Sequence, residues 1–535
     1  MTRRGGILIA VYTAVLAINL DVTIVNVALP SIATELSAGT RALQWIVDGY
    51  TLTFAALVLA GGSLSDRHGR RPALLIGLLG FAATSAAGAF ASSSGILIAA
   101  RFGMGVFAAL IFPTTLSIIT NAFPDRRQRS AALGGWGAVV GIGVAAGPVT
   151  GGFLLEHFYW GSVFWALVPL SLIAMALSFW LVPESRDPSV PSVDFLGLAL
   201  STAAVVTLVY TVIEAPDRGW SSAATIVGFV IAIMLAVTFV GVERTAAHPM
   251  LDLGLFADRR FSVACGAVTV IFFALAGFIF LITQYFQVLR QFGPLSTGAR
   301  ILPVAISLAA ASVVGGLLAP RVGTRAVVVT GLVCFGSTMA WVAVSIDTDT
   351  SYWAVIVPQM LLMGAGIGLV STPATESIMQ VLPPARAGVG SAVNDATREL
   401  GSTLGVAIVG SVFSSVFAGH LLDSAFRGTS QAEQAADSVP ITFGIASQLE
   451  DPALLRAAQE SFLAGLTTAC VVVAGLCLAA ALAGLAALPG RHFTPASAPV
   501  ISIRRLAPLP PTQPPEKSTP PDGPIREERS TPLAE

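Results

Sequence analysis

The chain has 535 residues, of which 54% are hydrophobic and only 11% are charged, and its formal net charge is −1. Together with a mean hydropathy of +0.79, these values exclude an ordinary soluble domain and indicate an all-α polytopic membrane protein. A spanning helix needs about 20 mostly apolar residues, and the pattern predicts about fourteen such spans. The predicted spans are 7–30, 42–62, 73–92, 95–118, 131–155, 162–182, 195–214, 222–242, 262–287, 297–318, 325–345, 353–376, 391–418 and 463–488.

The first predicted span follows Arg3 and Arg4, as the apolar region of a secretory signal would. It is too long for that region, it contains Asp21, and no convincing cleavage site follows it. We therefore interpret it as a membrane helix. If the N-terminus is cytoplasmic, most inter-span arginines lie on the cytoplasmic side, which predicts cytoplasmic termini in a plasma (inner) membrane protein.

Two loops repeat along the chain. GGSLSDRHGRR (61–71) is followed 254 residues later by GGLLAPRVGTR (315–325). Pro113 and Pro124 have counterparts in Pro373 and Pro383 at nearly the same offset. The repeat predicts two six-helix bundles related by a parallel repeat, with a working cavity between them.

The repeat also divides the chain. We predict an N-terminal bundle over 1–190, an inserted helix pair over 191–245 and a C-terminal bundle over 246–490. The polar segment 419–462 is predicted to be an external loop of the C-terminal bundle, either ordered or mobile. The Pro-rich segment 491–535 is predicted to be a disordered cytoplasmic tail.

The fifth predicted span contains GVAAGPVTGG (143–152). Gly143 and Gly147 lie on one helix face and allow a neighbouring backbone to approach, and Pro148 removes a helical N–H, which predicts a bend. Gly151 and Gly152 complete the pattern. The alternative is a packing seam with no role in transport.

These motifs resemble a known family. GGSLSDRHGRR is similar to the loop between spans two and three of the major facilitator superfamily. LDVTIVNVALP (20–30), GVAAGPVTGG and NDATRELGSTLGVAIVGSVF (394–413) resemble motifs of its fourteen-span drug:proton antiporters of the EmrB/QacA type. The resemblance implies the major facilitator fold and proton-coupled efflux of hydrophobic or amphipathic small molecules by alternating access. One departure is Met104 in RFGMG (101–105), where the family usually has glutamine.

Charged side chains inside spans are functional candidates, because an unpaired charge in a bilayer costs several kcal/mol. At 1.5 Å per residue, Asp21 lies roughly 12 Å and Arg101 roughly 9 Å from the outer end of its span, with Asp48 at a similar depth. We predict that Asp21 is the main proton-coupling carboxylate, that Arg101 sets its proton affinity and that Asp48 assists or shapes the cavity. The alternatives are a static Asp21–Arg101 ion pair and a solvated Asp48 near the span entrance.

A second charged cluster is predicted in spans twelve and thirteen, where we favour structural or gating roles over direct proton handling. Its members are Glu376, Asp395, Arg398 and Glu399. The tenth span carries no acidic residue between Ile301 and Leu318, which lowers the expectation of dedicated multivalent-cation transport.

The first repeated loop is predicted to be a cytoplasmic latch. Asp66 is expected to contact the positive N-terminal end of the eleventh span beside Arg325, and Pro320 replaces this aspartate in the second copy. For the loop arginines, fixing the topology is a second interpretation. The latch residues are Gly62, Asp66, Arg67, Gly69, Arg70 and Arg71.

Other chemistry is not indicated. The histidines are scattered, the four cysteines fall inside spans, and neither a P-loop nor a nucleophile motif is present, so we expect no enzyme, no metal and no cofactor. Candidate residues of a substrate cavity, which could instead be interfacial anchors, are Asn26, Trp45, Tyr50, Trp136, Gln284 and Tyr285.

The expected partners are a small-molecule substrate, protons and the lipid bilayer, with no nucleic acid; the oligomeric state is left open. Two alternatives to multidrug efflux stay open. One is a narrow exporter of a single metabolite or antibiotic that serves self-resistance. The other is a transport-inactive membrane sensor or scaffold, against which the intramembrane charges argue.

Overall fold

The computed structural model describes residues 3–187, 194–246, 253–381, 387–427 and 431–488. Within these ranges, 14 helices are long and apolar enough to cross a membrane, which confirms the predicted number. The predicted tail 491–535 lies outside the described residues. We name the spanning helices α1 (Arg3–Glu35), α2 (Thr40–His68), α3 (Arg70–Ala89), α4 (Ser94–Ala122), α5 (Arg126–His157), α6 (Ser162–Leu181), α7 (Phe195–Arg218), α8 (Ala223–Thr245), α9 (Arg259–Leu289), α10 (Pro294–Val322), α11 (Thr324–Ser345), α12 (Tyr352–Gln380), α13 (Ala387–Leu422) and α14 (Pro452–Ala487).

The connections between helices define two faces of the bundle. We call the face that holds the connections at 66–71, 123–129 and 320–325 the arginine-rich face. The opposite face, with the connections at 36–39, 218–222, 346–351 and 423–451, is called the loop face.

The predicted loop 419–462 is partly helical. α13 continues to Leu422, and two short helices follow, Ala432–Asp437 and Val439–Gln448. α14 begins at Pro452, well before the predicted start at 463, because the Asp451 side chain accepts a hydrogen bond from the Ala453 amide at 2.8 Å. Aspartate at the N-cap followed by proline at the first position is a favoured helix start.

The repeated sequence forms a repeated structure. α2 ends at Gly69 with φ of +130°, and α10 ends at Gly323 with φ of +93°. Both backbone conformations favour glycine, which has no Cβ to clash. Gly61 packs against the Ala109 backbone of α4, and Gly315 packs in the same way against the backbone of Gly368 in α12.

Helix packing follows the same repeat. In the first six helices, α1 packs on α5, α2 and α3 pack on α4, and α3 packs on α6. Eight helices later the pattern recurs: α9 packs on α13, α10 and α11 pack on α12, and α11 packs on α14. The two sets meet where α5 contacts α10 and where α2 contacts α13.

The two halves touch at the loop face and separate toward the arginine-rich face. The following hydrogen bonds join them, and each lies between the loop face and mid-depth: they run from Gln44 to Val406, Ala407 and Ser411, from Thr403 to Thr51, from Gln287 to Val27, from Thr40 to Asp437 and from Ser438 to Ala38. Nearer the arginine-rich face, a Cβ added to Gly134, Gly137 or Gly141 of α5 would meet no atom of another helix within 4 Å. The cleft between the halves is therefore closed at the loop face.

Candidate functional site

A buried ion pair joins α1 to α4. Arg101 Nη1 donates to Asp21 Oδ1 at 2.8 Å and to Oδ2 at 2.7 Å. Asp21 is 0% and Arg101 is 1% exposed, so solvent does not screen the pair. The structure therefore brings together the two residues whose depths in the sequence matched.

Arg101 also holds α2. Its Nε donates to the carbonyl oxygen of Ile46 at 2.8 Å, and its guanidinium lies 4.5 Å from the centre of the Tyr50 ring. Met104 brings its sulfur within 3.9 Å of Nη1. Arg101 thus connects three helices and keeps two contacts to α2 that do not involve Asp21.

Asp48 is completely buried, which counts against the alternative interpretation that it is solvated. Neither of its carboxylate oxygens has a hydrogen-bond partner among the described residues. The segment 431–451 covers the start of α2, where Thr40 Oγ1 donates to the Asp437 carbonyl oxygen at 3.1 Å. A charged carboxylate without a partner is costly in such surroundings, which favours the protonated acid.

The small residues of α5 lie against two helices. A Cβ at Gly143 would lie 2.8 Å from Asn19 Cβ of α1, and one at Gly147 would overlap Thr23. On another side of α5, a Cβ at Gly152 would lie 2.6 Å from Leu295 Cα of α10. α5 is therefore packed closely between the helix that carries Asp21 and a helix of the second half.

The remaining members of this motif lie in the same contacts. A Cβ at Gly151 would lie 2.8 Å from Ile24 Cγ1 of α1, and the Pro148 carbonyl lies directly against Gly298 of α10. Gly143, Gly147 and Gly151 therefore pack within the first half, whereas Pro148 and Gly152 lie where the two halves meet.

Asp66 of the repeated loop pairs within its own half. Its carboxylate accepts from Arg70 Nε at 2.7 Å, and its backbone carbonyl accepts from the Asp187 amide at 2.7 Å. It makes no hydrogen bond to the described residues of α11. The predicted contact with the start of α11 is absent from this arrangement because the halves are apart at the arginine-rich face. Arg71 donates to the Phe179 carbonyl at the end of α6.

Three of the four charged residues of the second half lie together on α13: Asp395 and Arg398 form an ion pair, and the charges of both act on Glu399. Arg398 lies 3.9 Å from Asp395 and 4.5 Å from the centre of the Phe272 ring. Glu376 instead accepts a hydrogen bond from Gln380, one turn further along α12. Asp395 and Arg398 are therefore paired on α13, whereas Glu376 lies outside this pair.

The six candidate cavity residues do not line one surface. Trp45 packs against Tyr210 of α7 at 6.2 Å, and Tyr285 donates to the Asp347 carbonyl at the loop face. Trp136 donates to Thr115 of α4, and Tyr50 lies under Arg101. The other two, Asn26 and Gln284, are buried and donate to carbonyls of their own helices.

Sequence reasoning missed the polar contacts between the halves. Gln44 Nε2 donates to the Ala407 carbonyl at 2.9 Å, and Thr403 donates to Thr51 at 2.9 Å. Gln287 Nε2 donates to the Val27 carbonyl at 2.8 Å. The available signal was an amide or hydroxyl inside an apolar span, because such groups pair across helices.

No group of three or more His, Cys, Asp or Glu side chains in the described residues could hold a metal ion.

Fourteen spanning helices, a structural repeat of two halves and buried charges among the helices of the first half define a polytopic membrane transporter. The family model of the Major Facilitator Superfamily matches residues 11–406. The chain belongs to this superfamily, and its 14 candidate spans fit the fourteen-span drug:proton antiporter type.

Several relatives are named for the efflux of, or the resistance to, drugs or antibiotics. The chain is 36% identical to "Multidrug efflux pump LfrA" of Mycolicibacterium smegmatis, over 90% of this chain and 95% of that protein. It is 36% identical to "Multidrug resistance protein Stp" of Mycobacterium tuberculosis, over 76% of this chain and 75% of that protein. It is also 32% identical to "Tetracenomycin C resistance and export protein" of Streptomyces glaucescens, over 76% of each.

Solved structures support the same fold. A bacterial homologue of the human lysosomal transporter Spinster, in an inward-facing and unoccupied conformation, matches with a TM-score of 0.63 and 16% identity, over 93% of this chain and 100% of that one. An auto-inhibited peptide transporter of the POT family matches with a TM-score of 0.60 and 18% identity, over 93% of this chain and 99% of that one.

Proposed function

We propose that the chain exports hydrophobic or amphipathic drugs in exchange for protons, by alternating access between its two halves. The observation that carries the proposal is the buried Asp21–Arg101 pair, a titratable carboxylate held between helices of a transporter fold. The names of the relatives support drugs as the substrate class. The division into two bundles and an inserted pair is part of the proposal, and the packing repeat supports it.

The ion pair supplies the coupling step. When Asp21 is charged, it holds α1 to Arg101 of α4; when it takes up a proton, this attraction is lost, while Arg101 keeps its contacts with Ile46 and Tyr50. α1 is then free to move relative to α2 and α4. Because α1 packs on α5 and α5 contacts α10, the change reaches the boundary between the halves.

Asp48 is a second proton site in this proposal. It lies on α2, the helix that Arg101 holds, and has no partner among the described side chains. A proton on Asp48 removes the cost of a buried charge in the closed state, and opening of the loop face to water would release it.

The arginine-rich face is proposed to be cytoplasmic, with both termini on that side, in accordance with the arginine distribution. The structure then corresponds to the inward-facing state. In the outward-facing state the arginine-rich face closes, and we expect Asp66 to reach the start of α11 beside Arg325 as a latch.

Everted membrane vesicles test the coupling. Asparagine does not titrate, so in Asp21→Asn the contact between residue 21 and Arg101 no longer depends on a proton. Export of a fluorescent drug driven by a pH gradient should therefore fall to background. Transport of the drug down its own concentration gradient should persist. Asp423→Asn, which changes an exposed carboxylate, is the matched control. Gradient-driven export by Asp21→Asn at the control rate would contradict the proposal.

A narrow exporter is the second candidate, because one relative is named for a single antibiotic, tetracenomycin C. Resistance profiles of an expressing strain against structurally unrelated compounds separate the two. Broad resistance supports multidrug efflux, and resistance to a single compound class supports the narrow exporter.

A further inference from the structure

The inserted helices contact both halves of the molecule. α7 packs on α2 of the first half and on α13 of the second. A small apolar cluster, separate from the main core, joins the three helices; it consists of Leu52 of α2, Ala407 of α13, and Val209, Val212 and Ile213 of α7. α7 therefore covers the seam along which α2 and α13 meet.

A proline creates a docking point on α7. Pro216 lies inside this helix and has no N–H, so the carbonyl of Val212, four residues earlier, lacks its helical donor. Ser411 Oγ of α13 donates to that carbonyl oxygen at 2.9 Å. The same buried hydroxyl accepts from Gln44 Nε2 of α2 at 3.3 Å. One serine thus links α7, α13 and α2.

The turn after α7 is held by the second half as well. Trp220 Nε1 donates to Ser415 Oγ of α13 at 3.0 Å. Ser415 lies one helical turn beyond Ser411, so α13 presents two hydroxyls to the inserted pair.

The contact with the first half is more exposed. Arg41, at the start of α2, lies 3.3 Å from Glu214 and 3.2 Å from Asp217 at the end of α7. The Arg41 side chain is 50% exposed, whereas Ser411 is fully buried. Exposed ion pairs are weak and are screened by salt, so this is the side of α7 that separates more easily.

We propose that α7 and α8 form a clasp that holds the loop face closed. The clasp stays attached to α13 through Ser411 and Ser415 and closes on the first half through Arg41. Arg41 and Ser411 are then positioning residues of the transport cycle. The inference rests on the proposed function, because opening of the loop face is the other half of alternating access.

Thiol labelling at the seam tests the clasp. Val27 is fully buried, and its carbonyl accepts the hydrogen bond of Gln287 from the second half, so Val27→Cys reports on opening of the loop face. A membrane-impermeant maleimide is supplied from the loop face. The chain without Val27→Cys corrects for the four native cysteines, of which three are buried.

Arg41→Gln and Ser411→Ala should each raise the labelling rate at position 27 about twofold to fivefold, because each removes weak contacts that attach α7 to one of the halves. Arg218→Gln is the matched control, because the ion pair and the hydrogen bond that Arg218 forms with described residues lie within its own helix, with Glu214 and Tyr210. Its labelling rate should equal that of the parent chain.

The double variant Glu214→Gln, Asp217→Asn removes the Arg41 pairs from the other side and keeps the test valid if Arg41→Gln fails to fold. If Arg41→Gln and this double variant are both labelled at the rate of Arg218→Gln, the clasp is overturned. Labelling needs neither substrate nor a pH gradient. If the labelling rates change as expected but the chain exports no drug, the clasp is supported and only the proposed function is contradicted.

Discussion

Arg101 makes the contacts with Asp21, Ile46 and Tyr50 that join α4 to α1 and α2 in the site. A guanidinium presents five N–H donors in a fixed plane, which lets one side chain bind the Asp21 carboxylate and the Ile46 carbonyl together. The aromatic face of Tyr50 adds a cation–π contact. A lysine could not supply this set of contacts from one position.

Arg101→Met should lower the free energy of unfolding by about 3–5 kcal/mol, because it leaves the Asp21 charge buried without compensation. The double variant Asp21→Asn, Arg101→Met should recover most of that loss but no gradient-driven export. Thermal unfolding of the purified protein measures the first effect, and vesicle transport measures the second. Wild-type stability in Arg101→Met alone would show that Asp21 is not charged in this state.

At the scale of single residues, the sequence predicted which charges meet but not what surrounds them. Depth along each span is a matter of counting residues, so Asp21 and Arg101 could be matched. The rotation of α2 about its axis is set by packing, which explains why the Ile46 contact and the burial of Asp48 were not foreseen.

At the scale of elements, α5 packs closely against α1 at Gly143, Gly147 and Gly151. Gly147→Leu should abolish export and lower the melting temperature, because its side chain would overlap Thr23 of α1, and overpacking typically costs about 1–3 kcal/mol. Membrane insertion should be unaffected, since leucine is at least as apolar as glycine.

Gly137→Leu on the same helix is the control for stability, because a side chain there meets no atom of another helix within 4 Å. Equal melting temperatures for the two variants would show that close packing of α5 against α1 is not required.

Hydropathy found all fourteen spans, yet it missed the two helices within 432–448. A window of about 20 residues is tuned to the thickness of a bilayer and passes over helices of 6 and 10 residues. The helices that α7 packs against could not be predicted either. Composition alone shows that α7 is long enough to span a membrane. Its packing position between α2 and α13 depends on how the side chains of all three helices fit together.

At the scale of the whole molecule, the segment 431–451 closes the loop face over the first half. Ser438 Oγ donates to the Ala38 carbonyl at 3.3 Å, and the Asp437 carboxylate lies against Gly39. Burial in this contact raises the pKa of Asp437, the negative charge of Asp217 adds to the effect, and Arg41 opposes it.

A raised pKa means that the folded protein binds this proton more tightly than the unfolded chain, whose aspartates titrate at about 3.9. The stabilising contribution of Asp437 is therefore complete below that pH and is lost as the pH rises through the higher folded value. Residue 437 cannot titrate in Asp437→Asn. The melting temperature of this variant minus that of wild type should therefore increase from acidic to neutral pH.

Melting curves of the purified proteins across that pH range measure this difference, with the exposed Asp423→Asn as the comparison variant. A difference between wild type and Asp437→Asn that does not change with pH would mean that the proton on Asp437 is not linked to folding.

The separation of Asp21 and Arg101 along the chain also has a consequence for biogenesis. The two residues are 80 positions apart, and at ribosomal rates of 5–20 residues per second α1 is made about 4–16 s before its partner. For that interval the first helix carries a carboxylate that the bilayer tolerates poorly. We therefore expect α1 to be integrated less stably until α4 has been made and Arg101 can pair with Asp21.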